Sequence, residues 1–142
     1  MPASIEIATT VDDELVTAVR RLLPLLSSAT PPSAEDLSAL VGSASSDLFV
    51  ARVDGAIVGV LTLSTYPTLT GTKAWIDDVI VDESARGHGV GEALNRAAVE
   101  EARRRGIGGV DLTSRPSREA ANRLYRRLGF EQRTTNVYRY KL

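Results

Sequence analysis

The sequence predicts an α/β fold, a mixed sheet with helices packed on it, as a single domain over residues 1–142. Three observations carry that expectation. Strand-like and helix-like hydrophobic periods alternate along the chain in the order β-α-α-β-β-β-α-β-α-β-β. Asp54-Gly55 stands between two apolar alternating runs, a strong two-residue hairpin signal. A length of 142 residues, with 43% hydrophobic and 25% charged side chains, is that of one ordinary globular domain.

In chain order, residues 5–8 read as a short opening strand. Leu15, Val19, Leu22, Leu23 and Leu26 recur on one face of a helix over residues 12–26, which Pro24 should end or kink near Leu23. Pro31-Pro32 breaks the chain, and Ser33 with Asp36 three residues later starts a second helix through Val41. Residues 47–53 and 56–65 form the hairpin, followed by a loop over 66–72. Residues 74–81 are rich in Ile and Val yet carry Asp77-Asp78 in their midst.

After a glycine-rich turn, Leu94, Ala97, Ala98 and Ala102 mark a helix over residues 90–105, with Gly106 as its stop. Residues 110–113 give a short strand. Ser117 is the expected cap of a last helix, whose face is Ala120, Ala121, Leu124, Tyr125 and Leu128 and whose end is Gly129. Residues 130–134 and 137–142 are expected to close the chain as two strands around a turn at Thr135-Asn136.

Composition narrows the chemistry. The chain has no cysteine, which excludes disulfides, thiolate metal sites and cysteine nucleophiles. A single histidine, His88, argues against a His-rich zinc site, so no metal is expected. No apolar run approaches the ~18–20 residues of a membrane span, and Met1 is not followed by a basic-then-apolar leader, so the expected location is cytoplasmic, away from membranes. A net charge of −1 gives no bulk attraction to nucleic acid. That charge is unevenly placed. Residues 1–71 carry three Arg against eight acids, and residues 72–142 carry fourteen Lys or Arg against ten. The basic half can hold an anion or can simply present solvated helix faces.

The most informative stretch runs from Val79, Ile80 and Val81 into Arg86, Gly87, His88, Gly89, Val90 and Gly91. It reads as strand, tight loop, helix start. The first amides of a helix lack acceptors and lie at the positive end of its dipole, so they suit a phosphate. Glycines let those amides approach an anion closely, and a pyrophosphate is the natural ligand. The dinucleotide fingerprint fails, because the sixth position from Gly87 is Glu92. No Gly-Lys-Ser/Thr follows, which excludes a nucleotide P-loop.

Arg86, Gly89 and Gly91 fit Arg/Gln-x-x-Gly-x-Gly/Ala, and in this segment the chain resembles the GNAT superfamily of CoA-dependent N-acetyltransferases. The block from Ala121 to Phe130, with Asn122, Tyr125 and Gly129-Phe130, also resembles that family, although asparagine and tyrosine stand only three apart. The specific resemblance covers about Trp75 to Phe130, and the front third matches in topology alone. It implies a largely antiparallel central sheet flanked by about four helices. It also implies acetyl-CoA as co-substrate and direct attack of a primary amine on the thioester.

The resemblance then distributes roles. Tyr125 would protonate the leaving thiolate, with Asn122 one turn earlier on the same face to position the pantetheine arm. Without the resemblance, Tyr125 reads as a core aromatic. Asp77 and Asp78 are the candidate bases, and period-two alternation would let only one face a given cleft; the other reading is a solvated pair at a sheet edge. An amide near Val79 or Ile80 would meet the oxyanion, with Val81 and residues 86–91 holding the cofactor. His88 is a loop residue that faces solvent or acts as a base elsewhere.

Arg115, Arg118, Arg123, Arg126, Arg127 and Arg133 would supply forks for the CoA 3′-phosphate or for an anionic group on the acceptor. The expected acceptor is a small-molecule amine, possible anionic substituents included. A peptide or protein amine and a non-catalytic acyl-CoA-binding module are the alternatives; Tyr125 and the Asp pair argue against the last. The alternating final segment predicts a homodimer.

Overall fold

The computed structural model describes residues 2–142. Its centre is a five-stranded sheet in the order β1-β2-β3-β4-β5. The strands are β1 (Ser4–Ile7), β2 (Ser46–Val53), β3 (Ala56–Thr68), β4 (Gly71–Val81) and β5 (Val110–Asp111). The first four pair antiparallel and β5 joins β4 in parallel. The helices are α1 (Asp13–Leu22), α2 (Ala34–Val41), α3 (Val90–Arg104) and α4 (Glu119–Arg127).

Alternation along β2 explains how both faces are covered. Leu48 and Val50 face α1 and α2, joining Leu15, Ala18, Leu22, Leu37, Ile57, Val60 and Ile80 in one apolar cluster. Phe49 and Ala51 face the other way, where Val90, Leu94, Ala98 and Ala102 form the buried stripe of α3. The sheet is therefore sandwiched, with α1 and α2 on one side and α3 on the other.

Local chemistry sets the helix ends, at Pro24, Ser33 and Gly106 as expected and at Asp12 in addition. Asp12 caps α1 through Leu15 N–H at 2.9 Å, and Pro24 converts the next turn to a 3₁₀ segment, Leu23–Leu25. Ser33 and Asp36 form a reciprocal capping box at α2. Gly106 takes φ +76° past the end of α3, where Ile107 N–H reaches Ala102 O at 3.0 Å.

Four expectations are corrected. The stretch 66–72 is not a loop: β3 runs to Thr68 and β4 starts at Gly71, so the ladder continues to a tight tip. Strand β5 has two residues rather than four. Ser117 does not cap α4; Arg118 holds that position and no side chain bonds the free amides there. Residues 130–134 and 137–142 form no strands, and every residue from 131 to 142 is exposed. Alternation marks a segment able to pair; it does not supply the pairing partner. Among the described residues no helix is long and apolar enough to cross a membrane.

Candidate active site

Strand β4 changes character at its acidic pair. Thr62 pairs with Asp77 and Val60 with Ile80, so Asp78 and Val79 together oppose the single residue Leu61. That is a β-bulge, and Asp78 sits in it with φ +52°, a left-handed conformation that aspartate tolerates better than most side chains. The bulge overturns the strict alternation expected of Asp77 and Asp78. Ile76 and Val79 both contribute to the α3-side cluster, whereas period two would put them on opposite faces.

Both acids are exposed rather than buried in an apolar strand. Partial desolvation, and secondly the negative charge of Asp78, hold the Asp77 carboxyl above the usual aspartate range. Strand β5 pairs only with Ala74 and Trp75. The β4 edge from Asp77 to Val81 that faces away from β3 thus has no ladder partner among the described residues. Its N–H and C=O groups are open to an extended ligand carrying amides.

This open edge leads straight into the glycine turn. Asp82 accepts from the N–H and hydroxyl of Ser84, both at 3.0 Å, and pairs with Arg21 of α1. The Ser84 backbone bond is the main reason that the Asp82 carboxyl lies below its ordinary range. Gly87 and Gly89 adopt φ +81° and +76°, and a Cβ at either would meet only open space. Their requirement for glycine is conformational. Gly89 starts α3 without any side-chain cap, so the first amides of a 15-residue helix face outward unclaimed.

Gly91 differs from the other two. A Cβ there would lie 3.4 Å from Leu124 Cδ2 and 3.8 Å from Val81 Cγ2. Its bare face therefore points inward, toward α4 and the end of β4, rather than toward an anion. Arg86 and His88 are exposed on the turn.

Helix α4 brings Tyr125 into this corner. The residue is buried, with its ring edge-on to Phe130 at 5.8 Å between centroids. Burial pushes the phenol above its ordinary value, against a smaller opposing effect from the Arg118 charge, so it is protonated at neutral pH. Asn122 is half-buried, and its side-chain NH₂ donates to Arg115 O at 2.9 Å. That bond ties down the loop before α4, leaving the amide oxygen as its unused group.

The end of β4, the glycine turn, the start of α3 and α4 thus form one corner. Asp77 and Asp78 stand further back along β4, Asp77 roughly 13 Å from Val81 at ~3.3 Å per residue. The six arginines between Arg115 and Arg133 are all exposed, and Arg127 reaches Glu92 of α3 at 3.4 Å. Among the described residues there is no group of three or more His, Asp or Glu side chains suited to a metal. Sequence reasoning missed the Arg21–Asp82–Ser84 brace and the bulge. The Asp-x-Ser spacing ahead of the glycines signals the first; the second has no local sequence signal beyond the acids themselves.

Comparison with known proteins gives concordant results. The profile of the acetyltransferase (GNAT) family matches residues 17–130. The chain is 35% identical over 88 residues to an uncharacterized N-acetyltransferase of Methanocaldococcus jannaschii, covering 60% of this chain and 39% of that protein. It thus spans well under half the length of that relative. It is similar to an acetyltransferase of Trypanosoma brucei at 28% identity and TM-score 0.81, covering 99% of this chain and 100% of the other. An aminoglycoside acetyltransferase from an uncultured soil metagenomic sample superposes with TM-score 0.81 at 22% identity, covering 99% and 96%. At that identity the likeness is one of fold.

Proposed function

The chain belongs to the GNAT acetyltransferase family, and from that premise we propose that it is an acetyl-CoA-dependent N-acetyltransferase acting on the primary amine of a small molecule. One observation carries the reading: an unpaired β4 edge that runs directly into an uncapped helix start through two left-handed glycines. A compact anion would need only the helix start. An elongated ligand with a pyrophosphate at one end and an amide-bearing arm uses both.

When bound, acetyl-CoA supplies an activated thioester. Arg86, Gly87, His88, Gly89 and Val90 hold the pyrophosphate through backbone amides, and the open edge of Val79, Ile80 and Val81 aligns the arm. An amide of Val79 or Ile80 meets the developing negative charge on the carbonyl oxygen. The amine nitrogen bonds the carbonyl carbon, its proton passing to Asp77, whose raised basicity suits the task. As the carbon–sulfur bond breaks, the buried Tyr125 phenol gives its proton to the sulfur. Asn122 positions this corner through Arg115.

The exposed Asp77 and Asp78 and the acidic balance of residues 1–71 support a cationic amine as acceptor. The arginines of residues 115–133 suit the CoA 3′-phosphate or an anionic group elsewhere on that acceptor. A cytoplasmic homodimer completes the reading. The test is calorimetric titration with acetyl-CoA and CoA, comparing the wild type with an Arg86→Ala/Gly89→Ala variant. Binding that the variant loses supports the assignment and opens a screen of amines by thiol release. No binding at millimolar acetyl-CoA overturns it.

A further inference from the structure

The chain's one tryptophan belongs to neither core cluster, although it stands in the middle of β4. Strand alternation and register show where it points. Ala74 and Ile76 enter the α3-side core, so Trp75 and Asp77 project to the opposite face, that of α1 and α2. On β3, Leu61 and Leu63 take the α3 side, which leaves Thr62, Ser64 and Tyr66 on the other. Thr62 pairs with Asp77, Ser64 with Trp75 and Tyr66 with Lys73. On its other side Trp75 pairs in parallel with Asp111. Val110 packs on the α3-side core, so Asp111 shares the face of Trp75.

Helices α1 and α2 do not close over this end of the face. Their apolar cluster takes Leu48, Val50, Ile57, Val60 and Ile80 from the sheet, and neither Trp75 nor Tyr66. Trp75 is half-buried and Tyr66 is 41% exposed. Neither Asp77 nor Asp111 is in an ion pair among the described residues. The result is an aromatic floor with a free carboxylate on two sides, Asp77 two residues along β4 and Asp111 one strand across. Ring face and carboxylates together attract a cation.

We propose that the acceptor is a short diamine, its reacting nitrogen at Asp77 and its second ammonium held over Trp75 by Asp111. This rests on the acetyltransferase reading above, in which Asp77 takes the proton, and names the substrate class of that site. Spacing sets the length. Two residues along one strand and one strand across put Asp77 and Asp111 roughly 8 Å apart. Two ammonium groups joined by about four carbons fit that separation.

Lys73 sets the far limit. It lies on the same face, two residues beyond Trp75 and opposite Tyr66, and its ammonium repels a third positive charge on a longer polyamine. In the reaction one nitrogen of the diamine bonds the carbonyl carbon and gives its proton to Asp77. The carbon–sulfur bond breaks and the sulfur takes a proton from Tyr125. A mono-N-acetyl diamine and free CoA thiol leave, and the second ammonium is unchanged. A monoamine lacks this second anchor, and an amino acid of the same length sets a carboxylate against Asp111.

The test compares 1,4-diaminobutane, butylamine and 4-aminobutanoate on the wild type, Asp111→Asn and Trp75→Leu. Calorimetry measures the binding of each. Because Trp75 is the only tryptophan, its fluorescence also reports a cation on the ring. The diamine should shift that fluorescence and bind the wild type at least about tenfold more tightly than either other amine. Both variants should fold, as judged by thermal melts, and bring the diamine within about twofold of butylamine. With acetyl-CoA present, they should raise KM for the diamine severalfold and leave kcat little altered. Equal binding of butylamine and the diamine to the wild type, a preference for 4-aminobutanoate, or a diamine preference that persists in both variants overturns the proposal. Diamine binding at Trp75 without any thiol release sinks the proposed activity and leaves the diamine site standing. Thiol release with no preference for the diamine does the reverse.

Discussion

Phe130 folds back on Tyr125 in two ways at once. Its amide donates to the Tyr125 carbonyl at 2.9 Å, and its ring meets the Tyr125 ring edge-on at 67°. Both contacts depend on Gly129, whose φ of +101° turns the chain at the end of α4 and lets its own amide reach Arg126 O at 3.1 Å. The glycine and phenylalanine of the motif block therefore fix the position of the tyrosine.

Tyr125→Phe should separate packing from chemistry. The variant keeps the buried ring and its contact with Phe130, so its melting temperature and acetyl-CoA affinity should stay near wild type. Turnover should fall by roughly 10²–10⁴-fold, the usual contribution of a positioned acid. Because burial raises the phenol, wild-type kcat should show no alkaline loss below about pH 10, the ordinary tyrosine value. Unchanged turnover in the variant would remove Tyr125 from the chemistry.

Asp77 and Asp78 give a pH prediction with a definite sign. A base works ionised, so kcat/KM should rise through the Asp77 pKa, which lies above the ordinary ~3.9. Asp78→Asn removes a like charge that contributes to that elevation, so the acidic limb should move to lower pH. Asparagine also accepts the left-handed backbone at this position, which keeps the bulge intact. Asp77→Asn should lose the limb together with most of the rate. A limb that stays put in Asp78→Asn, or survives in Asp77→Asn, means that Asp77 is not the base.

These residues also show what the sequence can and cannot disclose. Helix ends were legible at Ser33 with Asp36 and at Gly106, where local chemistry decides them, but not at Ser117, which does not cap α4. The glycine turn was legible because its requirement for positive φ leaves only a few residue types. The bulge at Asp78 was not, since it arises from the register of β3 against β4, a property of two strands together. The fate of residues 131–142 was hidden for the same reason. Their alternation is a fact of sequence, whereas a strand needs a partner edge, and they pair with none of the five strands.

The brace at Asp82 predicts an effect on binding more than on chemistry. Asp82→Ala removes the acceptor for both Ser84 donors and frees Arg21, loosening the chain just before the glycines. The dissociation constant for acetyl-CoA should rise severalfold with kcat little altered. The Asp82 carboxyl lies below its ordinary value in the folded state, so its contribution to stability is present above about pH 4 and lost as pH falls through the depressed value. A melting temperature compared at pH 3 and pH 7 should therefore show a smaller difference between wild type and Asp82→Ala at the lower pH. An equal difference at both would show that the carboxylate charge is not what holds the turn.

Three glycines near the turn should respond differently to alanine, because three different constraints act on them. At Gly89 the constraint is φ +76°, so Gly89→Ala strains the turn and should weaken acetyl-CoA binding. At Gly59, under the start of α3, a Cβ would lie 3.1 Å from Ile80 O and from Leu94 Cδ1, and 3.2 Å from Val90 Cγ1. The carbonyl belongs to the sheet and cannot retreat, so α3 must move; Gly59→Ala should cost about 1–3 kcal/mol and weaken binding as well. At Gly91 neither constraint holds. Its φ is not positive, and the inward Cβ would make ordinary contact with Leu124 and Val81. Alanine there gains up to about 1 kcal/mol of helix propensity, so Gly91→Ala should be as stable as wild type or more so. Its acetyl-CoA affinity should stay within about twofold, a change of ~0.4 kcal/mol. Thermal melts and calorimetry on the three variants check the set, and a Gly91→Ala protein that folds but no longer binds would show that the anion approaches from the side of α4.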